Sequence, residues 1–420
     1  MEQANTPSLL PESILQTFHD DRAQSLVDLV EQNHATYGLL YNKVLHNHTQ
    51  HILLASYQLG SSADDLKRLY DVECKDLVPW SDRASGRIVT ESDLAEHLGD
   101  LAYERDFVDY FAKEPDWHGG WQQALAYHLW ESPTPLLISL VGGFGHPLLL
   151  LADAVELGSG TLAMDALALA AVDYSGLSEL LEISKEVPVD GSFLLTALIE
   201  AIRTDHVFDG VVRKIGIQEV RSVVTDNGAR LAVVSYLARL QQHHVDAGAD
   251  ALLTQFVDLA LDLLAATSMP RGPAAFDFYL NHILSFCNCV RILLPALSSV
   301  KGGAHKASLT LFRMLWLMTI IPYITQHRPI ITPNLINEAN ASITMTWEEI
   351  RRAIVAKSSD EGDVRTSDPH FVKLIQVLSS FPEYWPALED KSLRVANKAM
   401  GEFHGWRGFG APNEAPLNTK

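Results

Sequence analysis

Two long apolar runs constrain the fold of this 420-residue chain more than any other feature. They cover Pro135–Leu151 and Leu311–Ile324. Glycines at 142, 143 and 145 interrupt the first run. The second has about fourteen residues, short of the roughly twenty that a helix needs to span a bilayer. We therefore expect both runs to form helices buried in a protein core.

Helical signals recur along the rest of the chain. Thr161–Val172 is rich in Ala and Leu, and Val245–Ala266 is apolar on more than one side, as a central helix would be. Only Gly210–Val224 leaves room for a strand. Capping patterns that begin helices occur at Ser62–Asp65, Thr90–Asp93 and Thr346–Glu349. The sequence predicts an all-α fold: one large helical domain over residues 1–407 with buried central helices, and a flexible tail over 408–420.

Composition limits the partners and the compartment. The chain has 32 basic and 52 acidic residues, a net charge of −20, which argues against nucleic acid or an anionic membrane as a partner. Three cysteines and an N-terminus without a secretory pattern predict a reducing, cytoplasmic setting. The oligomeric state is not indicated.

Three histidines lie within residues 46–51, directly before an apolar segment. If the segment is a helix, Leu45, His48 and Ile52 share one face, which places His48 in a buried stripe with His51 beside it and turns His46 away. A buried imidazole must be hydrogen-bonded, paired with a charge or bound to a metal. A hydrogen-bonded core histidine is the commoner of these outcomes.

Two further histidines lie in apolar surroundings. His146 follows the glycines of the first apolar run, where the freed backbone permits either a ligand role or a kink in which the histidine caps a carbonyl. His282 shares a helical face with Phe278 and Phe286. For His282 alone, a core role is again the commoner outcome.

The segment from Asp368 joins a histidine to a lysine. Asp368 and Pro369 suit the N-cap and first position of a helix, on which His370 and Lys373 lie together beside an apolar stripe. Burial there would lower the pKa of the Lys373 amine. A neutral lysine can add carbon dioxide and become a carbamate, an oxygen ligand for a metal. The alternative is a lysine that extends into water.

Taken together, four separated segments each place one histidine against an apolar face. If these histidines converge, they form a metal site rich in imidazole. Sites of this kind suit iron, zinc, copper or nickel, and helical proteins commonly build them from side chains on facing helices. Gly158–Ala163 matches the pattern GxGxxA, but it follows a helical run and no sheet surrounds it. We therefore do not expect a dinucleotide fold.

Six segments carry a family resemblance from about His46 to Val377: HNHTQHILLASYQLG (46–60), GGFGHPLLLLADAVEL (142–157), ALALAAVDY (166–174), DFYLNHILS (277–285), YITQHRPII (323–331) and DPHFVKLIQVL (368–378). Here the sequence resembles the questin oxidase-like family. This resemblance implies an oxygenase of secondary metabolism. It would use molecular oxygen to open a ring of an anthraquinone-like aromatic polyketide, by Baeyer–Villiger-type or dioxygenase-type chemistry.

The resemblance also implies a cofactor. Some family members look like non-haem iron enzymes with four histidines and a carboxylated lysine as ligands. The matching positions are His48, His146, His282, His370 and, as the carbamate, Lys373. His51 and Asp153 are candidates for orienting the ligands by hydrogen bonds. Leu150 replaces a polar residue, often histidine, that the family places four residues after the histidine matched by His146.

Two alternatives remain open. One is a metal-free Baeyer–Villiger monooxygenase that uses NADPH, with the histidines as acid and base groups. The other is a non-enzymatic helical binding protein in which all four histidines are core residues. Metal analysis distinguishes the first alternative from an iron enzyme. The second is distinguished by position, because the four histidines of a binding protein need not converge.

Overall fold

A computed structural model describes residues 20–41, 45–80, 87–188, 194–265, 276–298, 304–336, 342–357 and 364–410. Helices make up 75% of the structure and strands 3%, which confirms the all-α prediction. Of the predicted tail over 408–420, residues 411–420 lie outside the described part of the chain.

The α-helices are numbered in chain order. They are α1 (Asp21–Thr36), α2 (Thr49–Leu59), α3 (Ala63–Glu73), α4 (Leu94–His97), α5 (Glu104–Phe111), α6 (Glu114–His118), α7 (Trp121–Ala126), α8 (Gly142–Leu157), α9 (Gly160–Val172), α10 (Leu177–Ser184), α11 (Leu195–Thr204), α12 (Val220–Thr225), α13 (Asn227–Ala247), α14 (Ala249–Ala265), α15 (Phe278–Ser298), α16 (Ala304–Thr325), α17 (Trp347–Lys357), α18 (Val364–Ser367), α19 (Pro369–Ser379), α20 (Phe381–Tyr384) and α21 (Glu389–Glu402).

Shorter elements connect these helices. A π-helical turn covers Tyr127–Glu131. The 3₁₀ turns are Cys74–Asp76, Leu101–Tyr103, Leu137–Val141, His206–Phe208, Ile217–Glu219, Pro333–Ile336 and Pro386–Leu388. Strands β1 (Leu40–Tyr41) and β2 (Leu45–His46) pair antiparallel, and β3 (Phe276–Asp277) and β4 (Trp406–Arg407) pair parallel.

The chain divides into two compact units. The first unit comprises Met1–Gln50, Lys75–Ser175 and Cys289–Leu311, and the second comprises His51–Cys74, Gly176–Asn288 and Phe312–Lys420. The single domain predicted over 1–407 stays a prediction.

The first unit centres on α9, which packs against α8 and α5. Gly158 ends α8 in the left-handed region (φ 77°), and Ser159 then caps α9 by accepting a hydrogen bond from Leu162 N. The segment that matches GxGxxA therefore runs from the end of α8 into the first turn of α9.

The second unit has an aromatic core. The Phe256 and Phe312 rings stack with centroids 6.1 Å apart, and Trp316 packs edge-on against Phe256. The buried Trp316 indole donates a hydrogen bond to Tyr236 O. Full burial of one such side chain contributes roughly 1.5–3 kcal/mol, so these rings contribute substantially to the stability of this unit.

Most predicted helix boundaries are close to the observed ones. Ser62 and Asp65 form a capping box at α3, and Thr346 and Glu349 make the same bonds before α17. Asp93 accepts from Thr90 N, but α4 begins only at Leu94. Gly248 (φ 77°) divides the long helix expected over 245–266 into α13 and α14. Residues 210–224 form turns and helix, not strand.

The apolar helices are longer than the runs suggested. Leu137–Leu157, Phe278–Leu297 and Ala307–Thr325 are each long and apolar enough to cross a membrane by length and composition, so the expectation of a run too short to span is wrong. The first segment joins the 3₁₀ turn Leu137–Val141 to α8, and the other two lie within α15 and α16. Their most apolar windows are 83%, 83% and 89% buried inside the protein, which confirms that both runs are buried.

Candidate metal centre

His48 lies one residue before α2 and not within a helix. The preceding loop is held by Asn47, which is 3% exposed. Its Nδ2 donates to Asn33 Oδ1 and Gly38 O, and its Oδ1 accepts from Thr49 N at the start of α2. Asn47 therefore fixes the backbone on both sides of His48.

The prediction that His46 turns away from the core is wrong. Residues 45 and 46 form strand β2, which exposes Leu45 and buries His46, and the rings of His46 and His48 both contact His146. His46 is 9% exposed, and its ring stacks on His146. Leu45, expected in the buried stripe, is instead 47% exposed.

A left-handed turn presents His146. Gly143, Phe144 and Gly145 have φ of 50°, 55° and 77°, and regular helix begins only at His146. The His146 Nδ1 lies 2.6 Å from Gly143 O, to which it can only donate. Its Nε2 therefore keeps a lone pair. The carbonyl-capping alternative is correct for Nδ1, and it leaves Nε2 available as a ligand.

The two histidines of the first unit face each other. His48 Nε2 lies 3.1 Å from His146 Nε2, and the rings meet at 78°. Two nitrogens bound at right angles to one ion, each about 2.1 Å from it, would be about 3.0 Å apart. The separation thus fits adjacent ligands of one metal ion. It fits equally a hydrogen bond in which His48 Nε2 donates to His146.

Glycine is required at 143 for two reasons. Its φ is positive, and an added Cβ would lie 2.1 Å from Asp173 Oδ2 and 2.6 Å from His46 Nε2. The backbone at Gly143 therefore packs directly against the side chains of His46 and Asp173, whose Nε2 and Oδ2 atoms are 2.7 Å apart.

His282 repeats the arrangement of His146 within the second unit. It lies on α15, is 2% exposed, and donates from Nδ1 to Phe278 O at 2.7 Å. This bond again leaves Nε2 with the lone pair. The rings of His282 and His370 lie 5.1 Å apart, with Phe278 against both.

Asp368 and Pro369 begin α19 as predicted. Asp368 Oδ1 accepts from Phe371 N and from the Trp406 indole, and it lies 3.7 Å from His370 Nδ1. Burial raises the pKa of the Asp368 carboxyl above its ordinary value despite these hydrogen bonds. Lys373 is only 6% exposed, so the alternative of a lysine extended into water is wrong.

The remaining predicted residues are all in the core. His51 is 5% exposed, Asp153 1% and Leu150 0%. His51 lies on α2, and the other two lie on α8. Their burial is compatible with support of the ligands, and their proposed role stays a prediction.

The donor set fits a transition metal. His146 and His282 each have Nδ1 fixed by a backbone carbonyl, which is how proteins commonly orient a histidine that binds metal through Nε2. Imidazole nitrogens favour iron, zinc, copper or nickel over magnesium or calcium.

The sequence did not single out two residues of this region, His46 and Asp173. No local pattern identifies His46, because the two-residue strand that turns it inward forms only by pairing with β1. Asp173 lies within the quoted segment ALALAAVDY, but nothing in the local pattern links it to residue 46. That pairing depends on the folding of distant segments.

The described residues thus define an all-helical protein whose core holds histidines with backbone-fixed tautomers. A family profile described as Questin oxidase-like matches residues 45–378, and the chain belongs to this family.

Curated relatives from Aspergillus agree with this assignment. The chain is 24% identical over 300 residues to Oxidoreductase AflY of Aspergillus parasiticus, covering 68% of this chain and 59% of that protein. It is 25% identical over 276 residues to Questin oxidase of Aspergillus fumigatus, covering 61% of each. It is 31% identical over 174 residues to Baeyer-Villiger monooxygenase AacuH of Aspergillus aculeatus, covering 39% of this chain and 35% of that protein. The matches therefore span less than two thirds of these relatives.

Proposed function

We propose that this chain is a non-haem iron oxygenase that uses molecular oxygen to cleave a ring of an anthraquinone-like aromatic polyketide. The ligands in this proposal are His48, His146, His282, His370 and carboxylated Lys373. Membership of the questin oxidase-like family supports the oxygenase class, and the names questin oxidase and Baeyer-Villiger monooxygenase among the relatives support the substrate and the reaction type.

The observation that carries the metal proposal is the contact between His48 and His146. Their Nε2 atoms are 3.1 Å apart, and His146 has already committed its Nδ1 proton to Gly143 O. Two inward-facing nitrogens at this distance need a proton or a cation between them. The matching Nδ1 bond of His282 supports a second ligand of the same kind.

Lys373 would contribute a carbamate. The nitrogen lone pair of the neutral amine attacks the carbon of carbon dioxide, an N–C bond forms as the electron pair of one C=O π bond moves to oxygen, and one proton leaves the nitrogen to solvent or a base. The product is a carboxylate-like oxygen donor with one negative charge. The 6% exposure of Lys373 supports this step, because burial disfavours the competing ammonium.

Bound iron would supply the electron transfer that ground-state oxygen requires. The chain's own residues would hold the ligand rings and exclude water. Phe278 packs against His282, and Leu150 is buried one helical turn after His146. Asn47 and Gly143 fix the backbone of His48 and His146.

Metal analysis tests the proposal. Purified protein should contain about one iron per chain at the site defined by these five residues, and His282→Ala and Lys373→Ala should each lose it. His206→Ala is the matched control, because His206 is 94% exposed and pairs only with nearby Asp209 among the described contacts. Activity is followed by oxygen consumption with an anthraquinone substrate.

Full activity after complete metal removal would contradict the iron proposal. If that activity also required NADPH, it would favour the metal-free Baeyer–Villiger alternative. Iron binding without oxygen consumption on any anthraquinone would leave the metal site standing and overturn the assigned substrate class.

A further inference from the structure

The first unit also contains a cluster of two histidines and a glutamate, none of which is a proposed iron ligand. Glu114 and His118 are one turn apart on α6, and His128 lies in the π-helical turn Tyr127–Glu131. Glu114 Oε2 is 2.7 Å from His128 Nε2 and 3.2 Å from His118 Nε2. One ligand atom from each of the three lies within 4.8 Å of the other two.

The cluster contains a histidine that is removed from water and held by a carboxylate. The His128 ring is fully buried, and its Nε2 lies 2.7 Å from Glu114 Oε2. The π turn is itself a feature that proteins often retain at functional sites, because it displaces one residue from the helical register.

The cluster adjoins a cavity with an unsatisfied carboxylate. Glu114 and His118 line this cavity, which has a volume of about 540 Å³. Asp106 lines it too, is 2% exposed, and has no hydrogen-bond partner for either oxygen among the described residues. A buried carboxylate without a partner calls for a cation or bound water. This observation is independent of the distances within the cluster.

We propose that Glu114, His118 and His128 bind a divalent transition metal of the zinc class, with an open coordination position toward the cavity lined by Asp106. Ligand atoms about 2.1 Å from a tetrahedral ion lie about 3.4 Å apart. The 3.2 Å separation already fits, and the 2.7 Å separation needs Glu114 Oε2 to move by less than about 1 Å. Two imidazoles and one carboxylate select zinc or cobalt over magnesium and calcium.

The site is tested by cobalt titration of the full-length chain. The chain carries His48→Ala, so that cobalt bound at the proposed iron site does not add to the number of ions measured. Co²⁺ is added to chelator-treated protein, and the visible bands of tetrahedral cobalt are recorded. We expect one equivalent bound, with bands that Zn²⁺ abolishes by displacement. Because the titration does not depend on iron or turnover, its outcome is separate from that of the proposed oxygenase function.

Two substitutions, each added to the His48→Ala chain, test whether cobalt binds at this cluster. His118 is partly exposed (24%), so His118→Ala should fold and weaken cobalt binding at least tenfold. Glu114→Gln keeps an acceptor for one histidine but removes the charge, and it should do the same. His206→Ala is the control and should bind cobalt as the parent His48→Ala chain does.

Absence of tetrahedral bands in the parent chain, or equal cobalt binding by the parent and both cluster variants, would overturn the proposal. The cluster would then be a hydrogen-bonded Glu–His network.

Discussion

The ring of His46 lies parallel to that of His146, with centroids 3.8 Å apart and an interplanar angle of 7°. The His46 Nε2 in turn lies 2.7 Å from Asp173 Oδ2. Asp173 thus holds the His46 ring, and the stacked His46 ring in turn restricts the rotation of His146. His46 acts as a positioning residue for the proposed ligand, although no contact with a metal is assigned to it.

We expect His46→Ala to weaken iron binding about 10–100-fold, because partners that orient a ligand typically contribute this much to metal affinity. His46→Phe keeps the stacked ring and loses only the bond to Asp173, so its affinity should lie between those of the alanine variant and the parent. The measurement is the iron retained after dialysis against chelators of increasing strength. Parent-like retention by both variants would show that His146 is held without His46.

Gly143→Ala should destabilise the protein by about 2–5 kcal/mol. The left-handed backbone costs an alanine about 1–2 kcal/mol, and crowding against a packed neighbour adds about 1–3. Gly401→Ala is the control, since that glycine lies within α21 and nothing lies within 4 Å of an added Cβ. It should be neutral or slightly stabilising. Urea unfolding measures both, and equal free energies of unfolding would contradict the strain argument.

Lys373→Arg should lose iron while the fold is retained, because a guanidinium keeps the positive charge and cannot form the carbamate. Lys67→Arg, on the exposed face of α3, is the matched control and should keep iron. Incorporation of ¹³C-labelled bicarbonate, followed by NMR, reports the carbamate directly. A parent protein with one iron and no ¹³C label would remove the carbamate from the ligand set.

The pair of His34 and Asp165 predicts a pH-dependent stability. Burial alone would lower the pKa of His34, but the hydrogen bond and charge of Asp165, 2.8 Å away, outweigh it, and the pKa is raised above 6.5. Protonated His34 is therefore favoured in the folded state. Its contribution to stability is complete below about pH 6.5 and is lost as the pH rises through the raised folded pKa. The unfolding free energies of the parent and His34→Gln should differ more at low pH than at high pH, and a pH-independent difference would contradict this.

The sequence predicted features that depend on local chemistry. The helical period, the capping box at Ser62 and the N-cap at Asp368 involve residues three or four apart, so each can be read from its own segment. The prediction failed at His46 because β2 exists only through pairing with Leu40 and Tyr41. Within the period of a helix, nothing local signals a two-residue strand.

The same division applies to the candidate centre. The pattern predicted buried faces for His48, His146, His282 and His370; the structure buries His146 and His282, whereas His48 and His370 are only half-buried. The backbone bonds of His146 and His282 fix tautomers that no pattern shows. The pairing of His46 with Asp173 joins residues 127 positions apart. Its prediction would have required the packing of α9 against the turn before α8, which is a tertiary property.

The three long apolar helices have a consequence for biosynthesis. Each carries a charged residue that pairs only once the chain has folded: Arg291 lies 3.5 Å from Glu156, and Arg313 donates to Leu181 O and Ser184 Oγ. As they emerge from the ribosome, these segments have the length and hydropathy that a translocon recognises in signal-anchor sequences. An arginine near the middle of such a segment costs up to about 2.5–3.5 kcal/mol on insertion. The charged residues that make these contacts in the folded core therefore also oppose mistargeting of the nascent chain.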